Sequence, residues 1–155
     1  MDIVQGFNTK TALEHLVFLS GQNIVEVCRT LVITPQQFSD WIKKRRPIPE
    51  ERLKQLATYF GVPADMLADE RRFARGLSRL TAIELEMLVV AWETRICTEP
   101  DAKAVLAHRS AQLEEERQKQ LRITRLAALL ERNDPALMAR IDRFLNELEH
   151  EERNP

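Results

Sequence analysis

Glycine is scarce in this chain, and nothing in the sequence alternates as a strand would. Only four glycines occur among the 155 residues. No segment sustains the period-two alternation of apolar and polar residues that is typical of a half-buried strand. The abundant residues are Leu, Ala, Glu, Arg and Gln, which favour helices. The sequence therefore predicts an all-α protein.

Long apolar stretches are also lacking. The longest one, Met87 to Trp92, is far shorter than the roughly 20 residues that a transmembrane helix needs. The first ten residues do not have the charged and then apolar order of a signal peptide. We therefore expect a cytoplasmic protein that makes no contact with a membrane.

Cysteine and histidine are too few and too dispersed to suggest a metal centre. Cys28 and Cys97 each lie in an apolar helical pattern and are expected to be buried structural thiols. The three histidines are widely separated. There is also no glycine-rich phosphate loop and no nucleophile motif. The sequence therefore predicts no metal, no cofactor and no enzymatic activity.

Charge of one sign dominates neither half of the chain, whose formal net charge is -1. Residues 1–75 contain 11 Lys and Arg against 9 Asp and Glu, whereas residues 76–155 contain 12 against 15. Neither imbalance is large enough to attract a polyanion through bulk charge. Binding to nucleic acid would therefore require a local basic patch.

Apolar residues at helical spacing, separated by Gly and Pro, predict five short helices and then two or three longer ones. The first helix is expected to begin with Thr9 or Thr11 as its N-cap. Gly76 is the predicted boundary between an N-terminal domain, residues 1–75, and a helical C-terminal domain, residues 76–155. The short helices are predicted over residues 9–20, 24–31, 34–44, 50–60 and 64–74.

The longer helices are predicted over residues 78–97, from Pro100 to about Asn133, and from Pro135 onwards. The second of these has a polar middle, residues 108–120, in which Leu113 is the single large apolar residue. That stretch is expected to be either a solvated helix between packed ends or a loosely ordered link.

Three agreeing signals mark the start of the third helix. Thr34 is a good N-cap, Pro35 suits the first helical position, and Gln37 stands three residues after Thr34 as in a capping box. The helix has a predicted buried stripe and an otherwise polar surface. The stripe consists of Phe38, Trp41 and Ile42.

A helix can enter the major groove of DNA when one face presents hydrogen-bonding groups and the opposite face is anchored. The predicted third helix meets both conditions, because Gln36, Gln37 and Asp40 lie away from the buried stripe. A Gln side chain can pair with adenine through two hydrogen bonds. These three residues are the predicted base contacts.

Four consecutive cations, Lys43 to Arg46, end the third helix and are expected to reach the phosphate backbone, although one Arg could instead read guanine. Asp40 leaves two interpretations open. Its carboxylate could accept a hydrogen bond from cytosine, or it could hold Lys43 or Lys44 in place.

The segment NIVEVCRTLVITPQQFSDWIKKRRPIPEERLKQLATYFGVPADML resembles the lambda-repressor-like (Cro/XRE) helix-turn-helix family. The resemblance covers roughly residues 10–70. It implies a five-helix domain whose third helix reads operator DNA, with Gln36, Gln37 and Asp40 where such proteins commonly contact bases. It depends on Leu31 to Thr34 at the turn, on Phe38 and Trp41, and on Leu53, Leu56, Ala57, Phe60, Gly61, Val62 and Leu67.

The chain departs from the family pattern at two places. Ile24 stands where members often have a phosphate-binding Gln, and Ile42 to Lys44 replace a frequent Glu-x-Gly. Phosphate anchoring is therefore expected to shift to other polar side chains. The predicted phosphate contacts are Asn23, Thr34, Ser39, Lys43, Lys44, Arg45 and Arg46.

One short helix reads few bases, so a DNA-reading protein of this kind is expected to be a homodimer on a palindromic operator. The leading hypothesis is a transcriptional regulator, a repressor, that binds double-stranded DNA at a specific sequence. The C-terminal apolar residues are candidates for oligomerisation, with packing inside one chain as the alternative. They are Leu126, Leu130, Leu137, Ile141, Phe144, Leu145 and Leu148.

A second hypothesis belongs to another functional class. The departures at Ile24 and Lys44 are also compatible with a protein-interaction module that binds DNA weakly or not at all. Its C-terminal helices would then bind a protein partner, such as a regulator, a toxin or an RNA polymerase subunit.

Overall fold

The computed structural model describes residues 11–153 of the chain, and their regular secondary structure is entirely helical. Apart from two isolated bridges, no strand occurs in this range. The prediction of an all-α protein is therefore confirmed. The helices are α1 (Ala12–Leu19), α2 (Ile24–Leu31), α3 (Pro35–Ile42), α4 (Glu50–Phe60), α5 (Ala64–Leu67), α6 (Arg79–Ile96), α7 (Pro100–Leu130) and α8 (Pro135–Arg153).

The chain forms two compact units, one that ends at Arg117 and one that begins at Gln118. The core of the first unit includes Leu77, Ala82 and Leu85. These residues follow Gly76, and α6 packs against α1. The packing of the first unit thus continues past the predicted boundary, and a separately folded domain of residues 1–75 stays a prediction.

The N-terminal core is built from the inward faces of the short helices. Full burial of a large apolar side chain contributes roughly 1.5–3 kcal/mol, and such burial is the dominant favourable term in folding. Its largest fully buried side chains include Leu13, Leu16, Val27, Phe38, Ile48, Leu56, Leu67 and Leu85.

The start of α1 is fixed by its N-cap. Thr11 is buried, and its Oγ1 accepts a hydrogen bond from the Glu14 backbone N–H at 3.3 Å. Thr9, the other predicted cap, lies outside the described residues. The Ala12 N–H donates to the Arg75 carbonyl at 2.9 Å, which ties this helix start to the segment that follows α5.

The predicted fifth helix is wrong beyond Leu67, where α5 ends after one turn. Asp69 explains the early end, because its Oδ1 accepts from the backbone N–H groups of Arg71 and Phe73 at 2.9 and 3.0 Å. Such local side-chain bonds compete with helical ones. The chain reverses instead, and Ala68 pairs with Ala74 in an isolated bridge.

The polar stretch over residues 108–120 is helical, since α7 runs without interruption. Leu113 is completely buried and clusters with Ile83 and Val90 of α6. Two ion pairs flank this contact, Arg109 Nη2 to Glu86 Oε1 at 2.7 Å and Arg117 Nε to Glu84 Oε1 at 3.5 Å. The alternative of a loosely ordered link is therefore excluded.

The two cysteines differ in their surroundings. Cys28 is buried as predicted, and burial raises the pKa of its thiol because it disfavours the thiolate. Cys97 is only half-buried, because it lies just after the last residue of α6 rather than inside the helix. The prediction of a buried thiol is wrong for Cys97.

No helix within residues 11–153 combines the length and the apolar character that crossing a membrane requires.

Candidate nucleic-acid interface

The third helix is held by two buried aromatic side chains. Phe38 is completely buried and Trp41 is 4% exposed, with their ring centroids 6.4 Å apart. The period of an α-helix, 3.6 residues per turn, places Gln36, Asp40 and Lys43 on the side of α3 opposite Phe38. Gln36 and Lys43 are exposed, and Asp40 is half-buried. The helix therefore presents a polar face whose backbone is fixed from behind.

Local sequence determines where α3 begins. Thr34 Oγ1 accepts from the Gln37 N–H at 3.2 Å, and Gln37 Oε1 accepts from the Thr34 N–H at 3.1 Å. Pro35 occupies the first turn. This capping box confirms the predicted helix start, and it satisfies two backbone donors that the helix itself cannot.

The connection between α2 and α3 is a tight turn without glycine. Val32 adopts the left-handed conformation, with φ of 53°, and is 81% exposed. Ile33 is buried, and its N–H donates to the Cys28 carbonyl at 2.9 Å. The left-handed residue ends α2, and the buried Ile33 sets the direction in which α3 starts.

Arg52 fastens this turn from the first part of α4. Its guanidinium donates to the carbonyl oxygens of Leu31 and Val32 at 3.0 and 3.4 Å, and to Gln55 Oε1 at 2.9 Å. A cation at a helix C-terminus is favourable because the last carbonyls carry partial negative charge. The role of Arg52 is not visible in the sequence, since about twenty residues separate it from Leu31 and Val32 and no local pattern links them.

The predicted base contacts Gln36 and Asp40 lie together. Gln36 Nε2 donates to Asp40 Oδ1 at 3.1 Å, one helical turn along the same face. This bond orients the Gln36 amide and leaves its Oε1 and one N–H available. Those two groups are the acceptor and donor that an adenine edge requires.

Gln37 is less available than Gln36, because its Oε1 belongs to the capping box. Its side-chain amide N–H groups make no bond with a described residue. Gln37 can therefore donate to a base or a phosphate while it caps the helix. A bidentate pair with adenine would share an oxygen that already accepts from Thr34.

Asp40 pairs with different cations from those predicted. Its carboxylate lies 3.7 Å from Arg45 Nη1 and 3.8 Å from Arg46 Nε. Between Asp40 and Lys43 or Lys44, by contrast, residues 11–153 show no ion pair. The chain turns sharply at Lys44, whose φ is 55°, and this turn carries Arg45 and Arg46 back towards Asp40. Of the two interpretations left open for Asp40, the one in which it holds Lys43 or Lys44 is wrong.

Lys43 and Lys44 are both exposed and form no ion pair with any residue that the structure describes. Arg45 and Arg46 are also exposed, with side chains 60% and 78% accessible despite their contacts with Asp40. Exposed ion pairs contribute about 0–1 kcal/mol, so they restrain the arginines only weakly. The end of α3 is thus followed by four accessible cations, two of which contact the Asp40 carboxylate.

The remaining predicted phosphate contacts differ in accessibility. Asn23 caps α2, with Oδ1 accepting from the Glu26 N–H at 2.9 Å, while Glu26 Oε2 accepts from the Asn23 N–H at 3.0 Å. The Glu26 carboxylate therefore occupies the helix end that would otherwise attract a phosphate. Thr34 is an exposed cap, and Ser39 is half-buried.

The predicted oligomerisation residues lie in the second unit and are poorly covered. Phe144 is 58% exposed, and Leu126, Leu145 and Leu148 are each more than 40% exposed. Leu130 is 37% exposed, and Leu137 and Ile141 are half-buried. None of the described residues from Gln118 onwards is buried.

The left-handed turn generates a stability prediction. Replacing Val32 by Asn should raise the free energy of unfolding by about 1 kcal/mol, because a β-branched residue is strained in this conformation and Asn tolerates it. Urea denaturation measures the change. Val25→Asn, at an exposed helical position of α2, is the matched control and should give no gain. A Val32→Asn midpoint at or below that of the parent would contradict strain at the turn.

Comparisons with known proteins do not assign a function to this surface. No family model, no curated protein and no solved structure matches the chain. Its function therefore has to be inferred from the contacts and charges of the residues described above.

Proposed function

We propose that the chain is a sequence-specific regulator of transcription that binds double-stranded DNA, and that it acts as a dimeric repressor on a palindromic operator. The observation that carries this proposal is the anchoring of α3. Phe38 and Trp41 hold the helix from one side, while Gln36 faces outwards next to Asp40. Four accessible cations follow directly.

The polar face of α3 matches what the major groove requires. A helix fits the groove of B-DNA, and a Gln amide that offers both an acceptor and a donor can read adenine. Asp40 supports this readout by orienting Gln36, and its carboxylate can accept from the N4 amino group of cytosine. In this proposal Gln36 reads a base, Asp40 positions Gln36, and Gln37 contributes a donor from its capping position.

The cations supply affinity that does not depend on sequence. Each phosphate neutralised by Lys or Arg releases counterions, which makes binding salt-dependent. Lys43 and Lys44 have no ion-pair partner to give up, whereas Arg45 and Arg46 would exchange a weak contact with Asp40 for a phosphate. We therefore assign Lys43 and Lys44 to the DNA backbone.

The resemblance of residues 10–70 to the lambda-repressor-like helix-turn-helix family supports the proposal. Five helices precede residue 68 in the order that such a domain would have, and α3 is the third of them. In this proposal α2, the turn at Val32 and α3 form the helix-turn-helix, and the protein works in the cytoplasm.

Dimerisation is proposed through the second unit. The apolar residues Leu137, Ile141, Phe144 and Leu148 recur along α8 at spacings of four, three and four, as in helices that pack along a shared seam. Two copies of α8 that join by such faces would form a helical bundle between the subunits. A second copy of this chain presents the same surface and would cover it.

A second candidate function is a protein-interaction module with weak or no DNA binding. The Glu26 carboxylate at the start of α2 favours it, since a phosphate placed there would be repelled. The absence of any affinity for duplex DNA at low salt would select this function over the first.

Base readout can be tested at Gln36. The parent protein first selects an operator from random duplexes, and fluorescence anisotropy then measures affinities. Gln36→Ala should weaken operator binding by about tenfold, the loss of one good base contact, and leave non-specific binding unchanged. Gln112→Ala, at an exposed Gln of α7, is the control. An operator preference that survives Gln36→Ala would remove this residue from recognition.

Phosphate contact can be tested at Lys43 and Lys44. Changing both to Ala should weaken binding to all duplexes, and the slope of log affinity against log salt should become shallower by about 2. Lys54→Ala serves as the control, because Lys54 already pairs with Glu50 at 2.8 Å. If the double variant keeps the salt slope of the parent, the two lysines do not contact phosphates.

Dimerisation can be tested by sedimentation equilibrium. Phe144→Glu with Leu148→Glu places two charges on the apolar face and should convert the protein from dimer to monomer. The control, Ala139→Glu with Asn146→Glu, adds the same two charges on the opposite side of α8 and should leave the dimer intact. A parent protein that is already monomeric at micromolar concentration would rule out this interface.

A further inference from the structure

A cavity of about 280 Å³ lies in the first unit, away from α3 and the cations that follow it. It opens between the ends of α1 and α4 on one side and α6 on the other. Its size is slightly below the usual range for sites of drug-sized ligands, so it suits a small molecule. Its walls include Ser20, Tyr59, Phe60, Gly61, Trp92 and Glu93.

Three aromatic side chains line this cavity. Tyr59 and Phe60 are adjacent in α4, and their rings meet edge to face with centroids 4.9 Å apart. The Tyr59 hydroxyl donates to Gln22 Oε1 at 2.6 Å, which restrains the Tyr59 ring. Trp92 contributes a large ring that is 52% exposed. Aromatic faces carry negative electrostatic potential and attract cations.

Two helix C-termini also meet at the cavity. Ser20 is the C-cap of α1 and Gly61 is the C-cap of α4, and both residues line the cavity. Helix C-termini carry partial negative charge, and a basic side chain in the last turn often compensates for it. Neither α1 nor α4 has a basic residue in its last turn.

A carboxylate adds to this negative potential. Glu93 lines the cavity and is half-buried, and its carboxylate forms no hydrogen bond or ion pair with any residue in the described range. No Lys or Arg is among the residues that line the cavity. Aromatic rings, two helix C-termini and an unpaired carboxylate therefore favour the same kind of ligand.

We propose that this cavity binds a small organic cation of the methylated ammonium class. The cationic group would lie among Tyr59, Phe60 and Trp92, with Glu93 as its counter-ion. Methyl groups on nitrogen suit the site because they bury apolar surface against the rings and spread the positive charge. The site does not depend on DNA binding, so failure of either proposal leaves the other in place.

Choline and its neutral carbon isostere, 3,3-dimethylbutan-1-ol, test the proposal directly. Isothermal titration with the full chain should show choline binding at least about tenfold more tightly than the isostere, because only choline is charged. The fluorescence of Trp92 should change on binding, because Trp92 lines the cavity. The fluorescence of Trp41 should not change, because Trp41 is buried in the core and does not line the cavity. Equal affinities would assign the cavity to apolar ligands and overturn the proposal, as would no detectable binding of choline.

Two variants locate the ligand. Trp92→Leu and Glu93→Gln should each weaken choline binding by about five- to tenfold and keep the melting temperature of the parent within a few degrees. Phe18→Leu, at an exposed aromatic residue that does not line the cavity, and Glu51→Gln are the matched controls. Choline affinity that is unchanged in both Trp92→Leu and Glu93→Gln would place the ligand elsewhere and overturn the assignment.

A last arm distinguishes a free ligand from a lipid headgroup. Vesicles of phosphatidylcholine present the same cation at a membrane surface. Co-sedimentation should show no binding to these vesicles, because the cavity admits a molecule of choline's size but not a bilayer. Binding to vesicles without binding to free choline would overturn the proposal of a small soluble ligand.

Discussion

The burial of Phe38 and Trp41 is the contact on which the polar surface of this protein depends. An isolated helix of eight residues is unstable in water, because nucleation costs more than so few hydrogen bonds return. α3 therefore exists because these two side chains fill the core of the first unit. Since their burial fixes the rotation of the helix, it also determines that Gln36 and Lys43 face solvent.

The electrostatic potential of this surface is set by four cations, Lys43 to Arg46, and by the carboxylate of Asp40. Asp40 contacts Arg45 and Arg46 and also accepts from Gln36, so one side chain organises both the polar face and the turn after it. Its negative charge lowers the attraction for phosphate near the arginines. The two lysines form no ion pair within the described residues, so cations outnumber carboxylates in this patch of a nearly neutral chain.

The two units of the chain differ in how far their apolar side chains are buried. The first unit buries its large side chains around α1, α3, α4 and α6. In the second, the described residues belong to the last part of α7 and to α8, and their Leu, Ile and Phe residues stay largely accessible. Exposed apolar surface of this kind commonly marks an interaction site, so the proposed dimer would link the stability of this unit to assembly.

The starts of several helices and the buried face of α3 could be predicted from the sequence, because they depend on interactions between residues close together in the chain. Caps such as Asn23 and Thr34 act on backbone groups within three residues, and helical spacing placed Phe38 and Trp41 in the core. Tertiary structure alone decided which residues meet across long separations. Arg52 donates to the carbonyl oxygens of the turn at Val32, and Leu113 makes a polar stretch part of a packed helix. The early end of α5 has a local cause instead, the hydrogen bonds of Asp69 to the next few backbone N–H groups. The chemistry of the cavity likewise emerges only when the ends of α1 and α4 come together, because charge and ring contacts act through space and leave no period in the sequence.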